Sequence, residues 1–272
     1  MENKTLSVII PNYNKSTYIQ ETIESILSQS FRPKEIIIVD DCSTDVSKEI
    51  IKQYELKYPY IIKAFYFETN QGVQKARTFG VLNATGKYIT FIDSDDFYYN
   101  PYKLEKEMEL AGPKRIVYSS YCFFDNVSKV FIFPKKHKKY FRFFKHNQIY
   151  CYVNMKYMSS WPFAFIVEKE TFNKIGGYNF PFDYFEDLDL LIRYSKYGLK
   201  PYLLNQYGMA IRTNATDVSH LSKQGDKYPN VKEILNDRYG NDISVMNILY
   251  GKVFDLLEKV KGKFKKIIRI FI

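Results

Sequence analysis

The sequence predicts an α/β fold built on a mostly parallel sheet. Three observations carry this. Apolar runs of strand length alternate with segments of helical periodicity through the first 112 residues. The runs are nearly all apolar rather than alternating, as strands buried on both faces must be. Polar clusters follow the first, second and fourth runs, at the carboxyl ends where such sheets bind ligands.

The first strand is LSVIIP, residues 6–11. STYIQETIESILSQ then reads as a helix: Thr17 and Gln20 have capping-box spacing, and Ile19, Ile23, Ile26 and Leu27 share a face. EIIIVD, residues 35–40, is the second strand. The helix after it turns Val46, Ile50, Ile51 and Tyr54 inward, with Ser43, Thr44 or Asp45 as N-cap. IIKAFYF, residues 61–67, is the third strand. GVQKARTFGVLNATG is the next helix, with Gly86 placed as its C-cap. KYITFID is the fourth strand, and Asn100-Pro101 has the form of an N-cap with proline at N1, opening a helix over 101–111.

The second half is less regular. RIVYSSYCFF and KVFIFP read as a hairpin. WPFAFIVEKETFNKIGGYN reads as a strand and a short helix stopped by Gly176-Gly177. YFEDLDLLIRYSKYG is a helix ended by Gly198, with Leu188, Leu191, Ile192 and Ser195 at helical spacing. KPYLLN and GMAIRTN are two late strands. The expected organisation is a domain over 1–215, divided into halves 1–112 and 113–215, and a helical extension over 216–272.

Composition sets bounds. The chain has 272 residues, 46% hydrophobic and 26% charged, which supports a packed core and excludes global disorder. The net charge of +10 gathers in KKHKKYFRFFKH (135–146) and KVKGKFKKIIRIFI (259–272). Taken as a helix, the tail puts Val260, Phe264, Ile267, Ile268 and Phe271 on one side and most lysines on the other. Residues 255–272 would then suit an anionic membrane surface, the competing reading being a disordered basic terminus. Cys42, Cys122 and Cys151 form no CxxC pair, which speaks against a zinc site or a disulfide framework. MENKTLSVII lacks a basic segment before a long apolar run, so no signal peptide is expected. No run approaches the ~20 apolar residues of a membrane span. The expected location is cytoplasmic, peripheral to the membrane's cytoplasmic face through the tail.

Two acidic clusters need a chemistry. Asp93-Ser94-Asp95-Asp96 is either a solvated turn capping the next helix or a cation and phosphate site, since clustered carboxylates tolerate one another best around a cation. Asp93 and Asp95 would point alike if strand geometry continued. Capping explains Asp45 but leaves Asp40 and Asp41, whose carboxylates could accept from a nucleobase N–H or a ribose hydroxyl. Tyr13 could offer the base a flat face.

SVIIPNYN, SILSQSFRPKEIIIVDDCSTD, NQGVQKARTFGVLNATGKYITFIDSDD and IGGYN…EDLDLLIRY together resemble the family 2 inverting glycosyltransferases of the GT-A fold, in order and spacing, across about residues 5–200. The resemblance implies a Rossmann-like sheet with a smaller mixed acceptor-side region. It places Pro11 and Tyr13 in the nucleotide-contacting loop, Tyr13 beneath the base. It implies that Asp41 reads the uracil N3–H, Arg77 lies near the diphosphate, and Asp93 binds ribose. Asp95 would hold Mg²⁺ or Mn²⁺, with Asp96 in support. Glu186 and Asp187 match an acid pair whose Asp187 is the general base, and Arg212 matches a basic residue closing over the phosphates. Cys42 departs from the family, which usually carries glycine or another small residue there.

The implied activity is transfer from a nucleotide sugar, UDP-linked, to a saccharide or lipid-linked acceptor in cell-surface polysaccharide or glycolipid synthesis. The Gln-x-x-Arg-Trp motif of processive synthases is absent. A nicotinamide oxidoreductase would want GxGxxG after the first strand, where PNYNKSTY has no glycine. A nucleic-acid-binding protein would leave the strand-tip acids without purpose, so no nucleic-acid partner is expected. An inactive nucleotide-sugar-binding relative is the second reading. His220 reads as a surface residue.

Overall fold

The computed structural model describes residues 4–133, 164–179, 181, 186–213 and 238. Apart from Arg238 they belong to one compact unit. The two basic segments, Cys151, His220 and the side chains of Leu188, Leu191, Ile192 and Ser195 lie outside the described residues.

Strand β1 (Leu6–Asn12) is the axis of the sheet. It pairs in parallel with β2 (Glu35–Asp40) on one side and β4 (Tyr88–Phe91) on the other, and β3 (Ile62–Tyr66) extends the parallel half beyond β2. The sheet continues from β4 through β8 (Ile166–Glu168), β6 (Arg115–Asp125) and β9 (Lys200–Thr213) to β5 (Phe97–Tyr98). Strand β8 is antiparallel to both neighbours, β6 and β9 run parallel, and β7 (Val130–Ile132) closes the expected hairpin on β6. Helices α1 (Ile19–Leu27), α2 (Ser47–Lys57) and α3 (Val73–Asn83) connect the parallel strands. α4 (Lys103–Leu110), α5 (Lys169–Lys174) and α6 (Glu186–Tyr197) follow.

The apolar runs do what their composition predicts. Every residue of β1 and β2 is buried. Leu6, Val8 and Ile10 share a core with Ile36 and Ile38 of β2 and with Ile19, Ile23 and Ile26 of α1. Each such side chain contributes roughly 1.5–3 kcal/mol relative to exposure.

Several local expectations are corrected. No capping box forms at α1: the chain turns over Lys15, whose carbonyl accepts the N–H groups of Tyr18 and Ile19 at 2.9 Å, so the helix starts beyond Thr17. At α2, Val46 is exposed rather than inward. Asp45 accepts from the N–H of Ser47 at 3.0 Å and from that of Ser16 at 2.9 Å, so it joins two loops as well as serving the helix start. α4 starts at Lys103, after a turn in which Asn100 Oδ1 accepts the Tyr102 N–H at 2.9 Å. Gly86 is not a cap, because α3 ends at Asn83 and Ala84 is already extended. A Cβ at Gly86 would stand 2.6 Å from both the backbone nitrogen and Oγ of Ser7, so glycine lets this segment touch β1. The two late strands are one strand, β9, whose register against β6 shifts at Ser119–Ser120. A Cβ at Gly208 would lie 2.6 Å from Cβ of Ser119, so this glycine also marks a close approach.

The amino end of the parallel half is closed by a buried carboxylate. Glu35 accepts from Ser7 Oγ at 2.6 Å, from the Thr85 N–H at 2.5 Å, from Thr85 Oγ1 at 2.8 Å and from Lys63 Nζ at 2.6 Å. Burial alone would raise its proton affinity; the bonds from Lys63, Ser7 and Thr85 outweigh that and hold it down at about 2.

Candidate active site at the carboxyl ends of the strands

At the opposite end, the loops after β1 and β2 are knitted together. Asn12 Nδ2 donates to Asp40 Oδ2 at 2.7 Å and to Ser43 Oγ at 3.2 Å. The Ser43 N–H donates to Asp40 Oδ1 at 2.9 Å, and Ser43 Oγ accepts the Asn14 N–H at 2.9 Å. Asp40 is therefore an organiser of the two loops. Pro11 and Asn12 are buried at the end of β1, and Tyr13 beyond them is 46% exposed, as a platform for a flat ligand must be. Asp41 is buried and accepts from the N–H groups of Gln71 and Gly72 at 2.7 and 2.8 Å, which fixes the loop leading into α3. Cys42 has φ +65°, a left-handed conformation that favours glycine, and its Sγ lies 3.2 Å from the Glu68 carbonyl oxygen.

The acidic loop after β4 does not continue the strand. The Asp96 N–H donates to the Asp93 carbonyl at 3.0 Å, making a turn that sends its three carboxylates to different partners. Asp93 Oδ1 accepts from Arg77 at 2.8 Å, and Asp95 Oδ2 pairs with Lys15 Nζ at 2.7 Å. Asp96 is buried and accepts the backbone N–H of Arg212 at 2.9 Å. Thr22 Oγ1 pins the same turn by donating to the carbonyls of Ser94 and Asp96 at 3.0 and 2.7 Å.

Arg77 binds this loop to α6. Its side chain is 6% exposed, and the guanidinium that holds Asp93 also lies 3.1 Å from Glu186 Oε1 and 3.7 Å from Asp187 Oδ1. Tyr178 lies under the guanidinium, 5.1 Å from ring centre to Cζ, and donates its hydroxyl to Asp187 Oδ1 at 3.1 Å. Asp189 stands apart from this group, paired with Arg193 at 2.6 Å.

The charges are unbalanced. Of five carboxyl groups, Asp93, Asp95, Glu186 and Asp187 share the side-chain cations Lys15 and Arg77, and Asp96 feels Arg212. Burial and the neighbouring Asp95 and Asp93 push the Asp96 carboxyl well above the usual range. Burial and Asp187 push Glu186 up to about 7 against the opposing pull of Arg77. Asp187 is likewise raised, by burial first and then by Asp93, while Arg77 and Tyr178 act to lower it. Lys15 is the counterpart: burial would weaken its hold on the proton, but Asp95 and Asp93 strengthen it more.

The family model described as "Glycosyl transferase family 2" matches residues 7–175, the span that contains all of these elements except α6 and β9. The chain belongs to glycosyl transferase family 2.

A Bacillus subtilis protein named for teichuronic acid biosynthesis, the glycosyltransferase TuaG, is 43% identical to this family 2 chain over 114 residues, 42% of this chain and 44% of that one. An uncharacterized glycosyltransferase of Haemophilus influenzae is 41% identical over 127 residues, 46% of this chain and 50% of its own. The matches thus span half or less of these relatives. Among solved structures, Staphylococcus aureus TarS 1–349 in complex with UDP-GlcNAc superposes with a TM-score of 0.65 at 20% identity, over 92% of this chain and 71% of that one. TarS 1–349 in complex with UDP gives 0.59 at 21% identity, over 92% and 65%. The likeness places the chain in the GT-A fold.

The structure gathers most of the sequence-predicted residues of this family 2 chain at one end of the sheet. Arg212 has other company: its guanidinium pairs with Glu21, donates to Asn126 Oδ1 at 3.3 Å, and lies against the rings of Phe97, Tyr18 and Phe124 at 4.7–5.5 Å. Its backbone N–H bonds the acidic turn at Asp96, its charge also acts on that carboxyl, and its side-chain contacts anchor β9 to α1. Arg77 is a buried link between two carboxylate groups rather than a cation held free for a diphosphate. Lys15 and Tyr178 were not singled out in the sequence. The signals were local: Lys15 ends PNYNK, and Tyr178 follows the glycine pair.

Among the described residues, no three His, Cys, Asp or Glu side chains converge as a protein-only cage for a divalent ion would require. The residues do fit an ion shared with phosphate oxygens, which needs only one or two carboxylates. Asp95 is one-third exposed, held by a single displaceable lysine, and set in a surplus of acid.

Proposed function

We propose that this chain transfers a sugar from a UDP-linked donor to a hydroxyl of a saccharide or lipid-linked acceptor, with inversion at the anomeric carbon. One observation carries the reading. Arg77 joins the acidic turn after β4 to the start of α6, so a largely covered carboxylate, 16% exposed and with raised proton affinity, stands beside carboxylates suited to a diphosphate and its cation. A shifted acid placed next to a charge-binding group is the pattern of general-base catalysis. The TarS complexes with UDP and UDP-GlcNAc support a uridine nucleotide donor. TuaG's name supports a role in cell-surface polysaccharide synthesis. Among the described residues no helix is long and apolar enough to cross a membrane.

In this reading Tyr13 supports the base, and the loop held by Asp41 shapes the nucleotide site. Asp93 takes the ribose. Asp95 would hold Mg²⁺ or Mn²⁺ together with donor phosphate oxygens, and such an ion offsets the charge that develops on the leaving diphosphate. Lys15, released from Asp95, is placed to add to that field. Asp187 takes the proton of the acceptor hydroxyl as its oxygen attacks the face opposite the diphosphate. Glu186 and Arg77 set the electrostatics of that step.

A thermal-shift panel of nucleotide sugars with Mn²⁺, beginning with UDP-GlcNAc, tests the donor half. Stabilisation by a UDP-sugar, lost in EDTA and in Asp95→Asn, is expected. No shift with any nucleotide sugar would overturn the reading.

A further inference from the structure

We propose that Tyr178 is a positioning residue for the base: its hydroxyl fixes one oxygen of Asp187 and leaves the other oxygen to take the acceptor's proton. The inference rests on the proposed role of Asp187 and adds a residue to it.

The backbone delivers Tyr178 by a tight turn. Gly176 and Gly177 have φ +88° and +53°, and a Cβ at Gly177 would lie 2.8 Å from Cε1 of Phe172, so the turn admits glycine where a side chain would collide. The ring is then held on several sides. Phe91 and Phe172 meet it edge-on at 5.4 and 5.8 Å, and the Arg77 guanidinium covers it. Thr78 Oγ1 donates to its backbone carbonyl at 3.4 Å. At 5% exposure the ring has little freedom to swing, so the hydroxyl is a fixed donor.

The target is equally fixed. Asp187 faces Arg77 from α3, Asp93 from the loop after β4, Tyr178 from the turn after α5, and Glu186 on its own helix. Among the described residues, both its polar contacts, with Tyr178 and Arg77, fall on Oδ1. Oδ2 is the oxygen left for a substrate. Burial and Asp93 favour the protonated form, in which Asp187 cannot serve as base; Arg77 opposes them most, and the tyrosine bond adds to that opposition. Tyr178 itself holds its proton well beyond the ordinary phenol range, through burial and the adjacent Asp187, so it acts as donor throughout the working pH range.

The test needs no substrate. Protein labelled with ¹³C at aspartate carboxyl carbons is titrated by NMR, and the Asp187 resonance is identified by its loss in Asp187→Asn. In Tyr178→Phe, which keeps the ring and its packing, the proton affinity of Asp187 should rise about tenfold. A titration unchanged in that variant would overturn the inference. With the donor in hand, the acid limb of kcat/KM should move to higher pH in Tyr178→Phe while donor affinity holds; an unmoved limb would also overturn it. The two ideas fail separately. Asp187→Asn with full transfer activity removes the base, whereas an inactive Asp187→Asn beside an unshifted Tyr178→Phe removes only the positioning role.

Discussion

Two buried carboxylate sites lie at opposite ends of the same parallel strands, and they are built to opposite effect. At the amino end Glu35 receives four donors, one of them Lys63, and its proton affinity falls to about 2. At the carboxyl end Glu186 and Asp187 lie beside Asp93, with Arg77 as the shared cation, and proton affinity rises, to about 7 at Glu186. Burial acts the same way in both places. The supply of donors decides the sign. A carboxylate whose partners are complete serves the fold, while one left short of partners is held ready for a proton or a cation from a substrate complex.

Breaking the contrast at its shared cation should have the largest effect on the molecule as a whole. Arg77→Met leaves Asp93, Glu186 and Asp187 facing one another without it, and should cost about 3–5 kcal/mol of stability as well as transfer activity. Denaturant unfolding measures the first, and a loss below 1 kcal/mol would show that the arginine is not the link described. Glu35→Gln should cost less, about 2–3 kcal/mol at neutral pH, because Lys63, the strongest of its partners, is half exposed and its contribution is screened by solvent. Activity per folded molecule should be unchanged, which separates this end from the other.

The pH dependences should run in opposite directions. The stability Glu35 supplies is present above its ordinary value near 4.5 and is lost as pH falls toward 2. The raised value at Glu186 has the other sign. The folded protein holds that proton between about 4.5 and 7 while the unfolded chain releases it, so stability should decline as pH rises through that window and level off above it. Melting curves of Glu186→Gln should lack this component. An identical pH profile in the variant and the parent would contradict the assignment.

The same division explains what the sequence made legible. The strand runs and helix order of the first half are local patterns with a period of their own, and the structure has them in the expected order, with the acids after β2 and β4. Glycines are harder: Gly86 reads as a cap, yet it permits close contact with β1, and Gly208, inside what reads as two strands, does the same with β6. A glycine that ends an element and one that lets two backbones meet look alike in one dimension. The partners of the acids were hidden for a related reason. Asp93 and Asp95 would point alike only on a continued strand, and the turn between them sends one to Arg77 and the other to Lys15. Arg77 meets Glu186 across 109 positions of chain, and no periodicity records such a pairing. Arg212 matched a family position by order, while its surroundings, an aromatic cluster with Glu21, depend on how β9 lies over β5 and α1.

Asp187→Asn, assayed for donor binding and for transfer on the same preparation, probes the carboxyl end most directly. Nucleotide-sugar affinity should stay within about twofold of the parent, since the donor's diphosphate is assigned to the other acidic group. Transfer should fall by about 10²- to 10⁴-fold, the usual contribution of a general base. Transfer at near-parental rate in that variant would contradict the assignment of proton transfer to the buried end of α6.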